Sequence, residues 1–195
     1  MALYHFSVRH VSRGKGQMVV ASAAYISGQR IYDGYYNKIH DYTSKSGVVF
    51  TEILTPEYVP ERMTDRETLW NEVEHVERNN KAQLAYSFDI ALQNELTLEE
   101  NIRLAKEFCQ EQFVVCGMIV DLAVHEGKSD NEEEPDNPHF HVLAPIRPFT
   151  EEGIWGNKQR REYILDEDGN RVKDAKGKDM FNAVSTTGWN DPELL

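Results

Sequence analysis

The chain has 195 residues, 40% of them apolar, and a formal net charge of −12. That length suits one domain with a core of its own; no apolar run reaches the roughly 20 residues of a membrane span, no signal-peptide pattern opens the chain, and Cys109 and Cys116 make no disulfide framework. The expectation is a soluble, reducing, cytoplasmic protein with no membrane segment, and the acidic total argues against a generic nucleic-acid binder with a basic surface.

The charge is unevenly spread. Residues 1–50 carry six Lys/Arg against two Asp/Glu, whereas residues 51–100 carry four against twelve. A polyanion would therefore meet the first fifty residues, or the run Lys158-Gln159-Arg160-Arg161.

Residues 3–11 alternate, with Tyr4, Phe6 and Val8 on one face and His5, Ser7 and Arg9 on the other, which predicts a half-buried strand. Residues 13–17 form a glycine-marked loop. Residues 18–30 read as a short helix of small residues, able to lie close to a sheet and ending at Gly28. Residues 31–54 read as irregular loop and then the strand VVFTEIL. Thr64-Asp65-Arg66-Glu67 is a capping box that opens a helix to about Asn79, with Leu69, Trp70, Val73 and Val76 as its buried stripe. Residues 84–92 alternate as a strand, and Thr97-Leu98-Glu99-Glu100 is a second capping box for a helix to about Phe113. A strand over 118–125 places Met118, Val120, Leu122 and Val124 toward the core and Ile119, Asp121, Ala123 and His125 away from it. The acidic loop 128–138 and the strand 139–147 follow. Asp168-Gly169 and Lys176-Gly177 mark turns of a terminal hairpin. This order predicts an α+β domain: an antiparallel sheet with helices packed on one face and a polar face left available.

Within NPHFHVL (137–143), His139 and His141 share one face of a strand, because residues i and i+2 do. If strands 118–125 and 139–147 are antiparallel neighbours, His125 joins them. Three neutral imidazoles bind one divalent cation and leave coordination positions open, as a catalytic site does; a structural zinc site completed by a fourth ligand is the alternative. A phosphoryl or carbonyl oxygen is what such a cation would polarise. Tyr25 stands out as a polar aromatic on a helix of small residues, and a phenol can attack a phosphodiester and keep the bond as phosphotyrosine. A core tyrosine with a hydrogen-bonded hydroxyl is its bland reading.

The chain resembles the MobA/MobL group of plasmid mobilisation relaxases, which belong to the HUH endonucleases. The resemblance rests on His139-Phe140-His141, on YHFSV (4–8), on residues 21–54 around Tyr25, on GMIVDLAVHE (117–126) and on VSTTGWNDPELL (184–195), in that order along nearly the whole chain. It implies a permuted ferredoxin-like fold with a sheet of about five antiparallel strands, forming a single nuclease domain over 1–195 that is truncated from a longer protein. It implies strand-specific nicking and rejoining of single-stranded or supercoiled DNA at an origin of transfer, which initiates conjugative mobilisation, with accessory and coupling proteins as partners. By motif, Tyr25 is the nucleophile that leaves a 5′-phosphotyrosine adduct, and His125, His139 and His141 hold Mg²⁺ or Mn²⁺. His5, Asp89, Glu74 and Glu77 are candidate supporting groups. Arg13, Lys15, Arg30, Lys38 and Lys45 are candidate phosphate contacts by segment charge, and Tyr32, Tyr35, Tyr36 and Tyr42 candidate stacking surfaces for unpaired bases. One stretch departs from the group's pattern: Tyr86 and Ser87 stand where many relatives carry a basic residue and a glutamate, and Leu92-Gln93 where they carry Leu-Pro. The rivals are a rolling-circle replication initiator, whose tyrosine follows the two histidines where Tyr25 precedes them, and a non-catalytic DNA-binding module with a structural zinc.

Overall fold

The computed structural model describes residues 5–128 and 136–189. Strand β1 (Phe6–Ser12) leads to helix α1 (Val19–Ser27), a small hairpin of β2 (Arg30–Asp33) and β3 (Lys38–Asp41), and strand β4 (Val48–Leu54). Helix α2 (Arg66–Val76), strand β5 (Gln83–Ala91) and helix α3 (Leu98–Cys109) follow, then β6 (Val120–His125) and β7 (His139–Pro145). A second hairpin pairs β8 (Gln159–Tyr163) with β9 (Phe181–Ser185). The chain falls into two compact units that divide between Trp155 and Gly156. Residue Tyr4, most of the acidic loop and the last six residues, all part of the sequence reading, lie outside the described residues.

The first unit is built on a five-stranded sheet in the order β1-β5-β7-β6-β4, antiparallel throughout. The predicted sheet is therefore present, but its helices are not confined to one face. α1 and α2 bury Val19, Val20, Ala23, Ala24, Leu69, Trp70 and Val73 in one core with Ala85, Ile119, Ala123 and Leu143. By strand parity this is the face of the histidines, expected to be open. On the opposite face α3 and its π-helical extension (Gln110–Val114) stack aromatic rings on the sheet: Phe108 lies 5.9 Å from Phe140, and Phe113 lies 4.8 Å from Phe88.

Asp121 explains how a polar face is buried. It sits at 0% exposure near the start of β6, where Arg66 meets its carboxylate through Nε and Nη2 and the Trp70 indole N–H donates at 2.8 Å. A buried charge is tolerated only when paired and hydrogen-bonded. Both partners come from α2, so this carboxylate draws α2 onto the sheet.

Two local features differ from the sequence reading. The N-cap of α2 is Asp65, whose side chain accepts from Thr68 N–H, because Thr64 instead closes a 3₁₀ turn by donating to the Glu61 carbonyl. The capping box at Thr97 and Glu100 forms as predicted. Residues 30–41 are a hairpin rather than irregular loop: Asp33 accepts from the backbone N–H groups of Tyr35 and Tyr36, and Asn71 of α2 accepts from Gly34 N–H. No helix among the described residues is long and apolar enough to cross a membrane.

The second unit is a ribbon extended by the predicted turns, with Gly169 and Gly177 at φ of 82° and 76°. Arg161 lies over the Phe181 ring and Arg171 over the Tyr163 ring, 4.6 and 3.7 Å from the centroids.

Candidate active site

The three histidines arise from one strand pair. β6 and β7 are antiparallel neighbours in which His125 faces His139 and Ala123 faces His141. Parity turns all three imidazoles to one side, and one ligand nitrogen from each lies within 4.8 Å of the others. Among the described residues no fourth His, Cys, Asp or Glu joins this cluster.

Two of the rings are oriented by backbone. Nε2 of His125 donates to the Ile26 carbonyl at 2.7 Å, which leaves Nδ1 with its lone pair. Nδ1 of His139 donates to the Asn137 carbonyl at 2.7 Å, which leaves Nε2. The Asn137 carbonyl is held by a close approach that only glycine allows. Gly127 is at φ 58°, and a Cβ there would stand 1.9 Å from that oxygen. Burial pushes His125 and His141 down to about 4, with the neighbouring histidines adding to the effect, so both rings are neutral at physiological pH. Neutral rings with their remaining nitrogens gathered in one place suit a divalent cation.

Asp89, a candidate supporting residue, is directly across from His141 on β5 and is the nearby negative charge that acts against the depression of both histidines. His5 Nε2 lies 4.0 Å from the Asp89 carboxylate, on the same sheet face by register with Ser7 and Asp89. Glu77 and Glu74 are placed elsewhere. Glu77 is buried and bonded to Arg147, past the end of β7 remote from His139. Glu74 is almost fully buried and accepts from Arg13 and from Val19 N–H.

Tyr25 is 50% exposed on α1, so it is not the core tyrosine of the bland reading. The small residues Ala23 and Ala24, both fully buried, let the helix lie close to the sheet, and Gly28 ends it in a left-handed conformation at φ 63°. The ring of Tyr42 meets Tyr25 edge-on at 5.4 Å, and the Lys45 ammonium lies 3.8 Å above the centre of the Tyr25 ring.

Among the candidate phosphate contacts, Arg13 is a correction. Its guanidinium is buried, meeting Glu74 and the carbonyls of Glu74, Glu77 and Asn79, where it caps the end of α2. Lys15, Arg30 and Lys38 are exposed. Arg30 lies 3.8 Å from Asp41 across the β2–β3 hairpin. Tyr32, Tyr35 and Tyr36 expose 45%, 48% and 40% of their surface, and the rings of the last two meet edge-on at the hairpin tip. Sequence reasoning missed the Ile26 and Asn137 carbonyls, which carry no side-chain signal, and Arg66 with Asp121, for which a carboxylate inside an apolar strand was the signal.

Residues 17–195 match the model of the MobA/MobL family. The chain is 36% identical over 97% of its length to the conjugal transfer protein TraA of Agrobacterium fabrum (strain C58), and covers 18% of that protein. It is 34% identical over 88% of its length to a probable mobilization protein MobA of Bifidobacterium longum, of which it covers 30%. It thus spans about a fifth to a third of these relatives. The fold is similar to a solved structure described as the molecular basis of vancomycin resistance transfer in Staphylococcus aureus, with a TM-score of 0.78 and 34% identity over 99% of this chain and 84% of that one.

Proposed function

The chain belongs to the MobA/MobL family, and on that footing we propose that it nicks and rejoins one DNA strand at an origin of transfer, with Tyr25 as nucleophile. One observation carries the reading: the helix bearing Tyr25 is bonded, at the very next residue, to one of three histidines whose ligand nitrogens converge within 4.8 Å.

Oη of Tyr25 attacks the scissile phosphorus in line with the 3′ oxygen. The phosphorus–O3′ bond breaks, the phenol gives up its proton, and O3′ takes one up and leaves as a hydroxyl. The 5′ end remains on the tyrosine as a phosphodiester, which conserves the bond energy for rejoining by the reverse step. His125, His139 and His141 would hold a divalent cation, Mg²⁺ or Mn²⁺, through the nitrogens that the main chain leaves free. Bound there, such a cation supplies positive charge to a non-bridging phosphate oxygen. Asp89 orients His141 from the neighbouring strand, and His5 supports Asp89. Lys15, Arg30 and Lys38 meet backbone phosphates, and the exposed tyrosines of the β2–β3 hairpin stack unpaired bases. Accessory and coupling proteins of a transfer apparatus would deliver the origin and move the strand, and the reaction belongs to the cytoplasm.

The test is a covalent-adduct assay. The protein is incubated with Mn²⁺ and single strands from candidate origins on its own mobile element, and detergent-resistant protein–DNA bands are mapped by mass spectrometry. Adduct on Tyr25 that chelator abolishes is the expected result. Adduct on Tyr32 instead moves the nucleophile, and firmly bound zinc with DNA binding but no adduct on any origin overturns the reading.

A further inference from the structure

We propose that Lys45 is a positioning residue for Tyr25: one ammonium both bonds the Tyr25 main-chain carbonyl and covers the face of its ring, holding the phenol beside the three-histidine cluster. The proposal rests on the reading of Tyr25 as the nucleophile.

The argument begins at the end of α1. The last carbonyls of a helix have no partner within it, and cationic donors are favoured there. At this end two consecutive carbonyls are taken from outside. Lys45 Nζ donates to Tyr25 O at 3.0 Å, and His125 Nε2 donates to Ile26 O at 2.7 Å. Two successive peptides, those following Tyr25 and Ile26, are therefore fixed, the first by a cation and the second by a candidate metal ligand.

The same Nζ lies 3.8 Å from the centre of the Tyr25 ring, well within cation–π range, while Tyr42 meets that ring edge-on at 5.4 Å. Main chain and side chain of one residue are thus gripped by one atom. Lys45 is itself held: its backbone N–H donates to the Tyr42 carbonyl at 2.9 Å, and the turn that delivers it is fixed by the Asp41 carboxylate, which accepts from Thr43 N–H and Oγ1. Partial burial lowers its pKa, and its charge reaches both His125 and His141. An exposed lysine reaching for DNA phosphate would not be folded back onto a tyrosine in this way.

The test separates this role from that of phosphate contact and does not depend on an origin being known. Tyr25 is acetylated with N-acetylimidazole, which moves an acetyl group from the imidazole nitrogen to the phenolic oxygen while the phenolic proton goes to imidazole. Tyr32, similarly exposed, serves as the internal reference in peptide mass spectrometry. In parallel, 3-fluorotyrosine is incorporated and the Tyr25 ¹⁹F signal is assigned by its loss in Tyr25→Phe. Expected for Lys45→Met are a displaced Tyr25 ¹⁹F signal, Tyr25 acetylation at least fivefold faster relative to Tyr32, and an unchanged melting temperature. Lys45→Arg should return acetylation to within twofold of the parent. An unmoved ¹⁹F signal overturns the contact, and acetylation that is unchanged or slower in Lys45→Met overturns the positioning role, since a freed ring becomes more accessible. On an origin strand found by the adduct assay, cleavage at saturating DNA should fall tenfold or more, with Kd within twofold. A raised Kd with an unchanged saturated rate would make Lys45 a phosphate contact and overturn the proposal. Failure of the nucleophile reading shows separately, as adduct retained in Tyr25→Phe.

Discussion

Nε2 of His125 lies 2.7 Å from the carbonyl oxygen of Ile26, so a candidate metal ligand and the residue next to Tyr25 share a hydrogen bond. The imidazole gains a fixed tautomer from the helix, and the helix end gains a donor from the sheet. Metal affinity and the placement of the tyrosine are coupled through this bond, and each should respond when the other is perturbed.

Removing a ring tests the cluster directly. His125→Ala and His141→Ala should each weaken Mn²⁺ binding at least tenfold by titration calorimetry. His125→Ala should in addition lower the yield of Tyr25 adduct at saturating Mn²⁺, because it also releases Ile26. Equal metal affinity in both variants and the parent would dissolve the three-histidine site.

Glycine at 127 is required by the close approach of the Asn137 oxygen. Gly127→Ala must displace that carbonyl, and with it the acceptor that orients His139. We expect a ten- to hundred-fold loss of Mn²⁺ affinity, the cost typical of losing an outer-shell partner. Unchanged affinity would show that His139 keeps its tautomer without this bond.

The buried pair of Arg66 and Asp121 predicts a stability effect. Asp121→Ala leaves a guanidinium uncompensated inside the protein, which costs about 3–5 kcal/mol. Urea unfolding should therefore show a large fall in midpoint. A loss below about 1 kcal/mol would mean that water reaches Arg66 and the pair contributes little.

Stability should also fall with acid in a defined window. Both His125 and His141 titrate near 6.5 in the unfolded chain but are pushed down to about 4 when folded. Between these values the unfolded state binds more protons, so stability is full above pH 6.5 and is lost as pH falls toward 4. The slope is at most about 1.4 kcal/mol per pH unit for each histidine. In the His125→Ala, His141→Ala double variant, metal-free unfolding at pH 5 and pH 7 should differ less than in the parent; an equal difference would assign the acid sensitivity to other groups.

Period-two alternation was enough to find β5, and strand parity was enough to bring His125, His139 and His141 together, because both follow from local geometry. The hairpin at 30–41 was hidden because its strands are four residues long and its tip is secured by Asn71, 37 residues away from Gly34. The burial of the histidine face was hidden for a similar reason: Asp121 reads as a surface residue until Arg66, 55 residues away, is placed on it. Arg13 was assigned by charge alone, and charge does not reveal that Glu74 waits for it inside. The capping of α2 missed by one residue because Asp65 and Thr64 are both good caps, and the Glu61 carbonyl decides between them.

Arg66 and Glu74 stand two turns apart on α2 and reach opposite ends of α1: Glu74 accepts from Val19 N–H at 3.2 Å, and Arg66 Nη1 donates to the Gln29 side chain at 2.9 Å. A rod bolted at one end can swing, whereas a rod bolted at both ends cannot. On the proposed function, breaking and resealing a strand then start from the same Tyr25 backbone, and whatever travel separates the two events is left to rotation about the bonds of its own side chain.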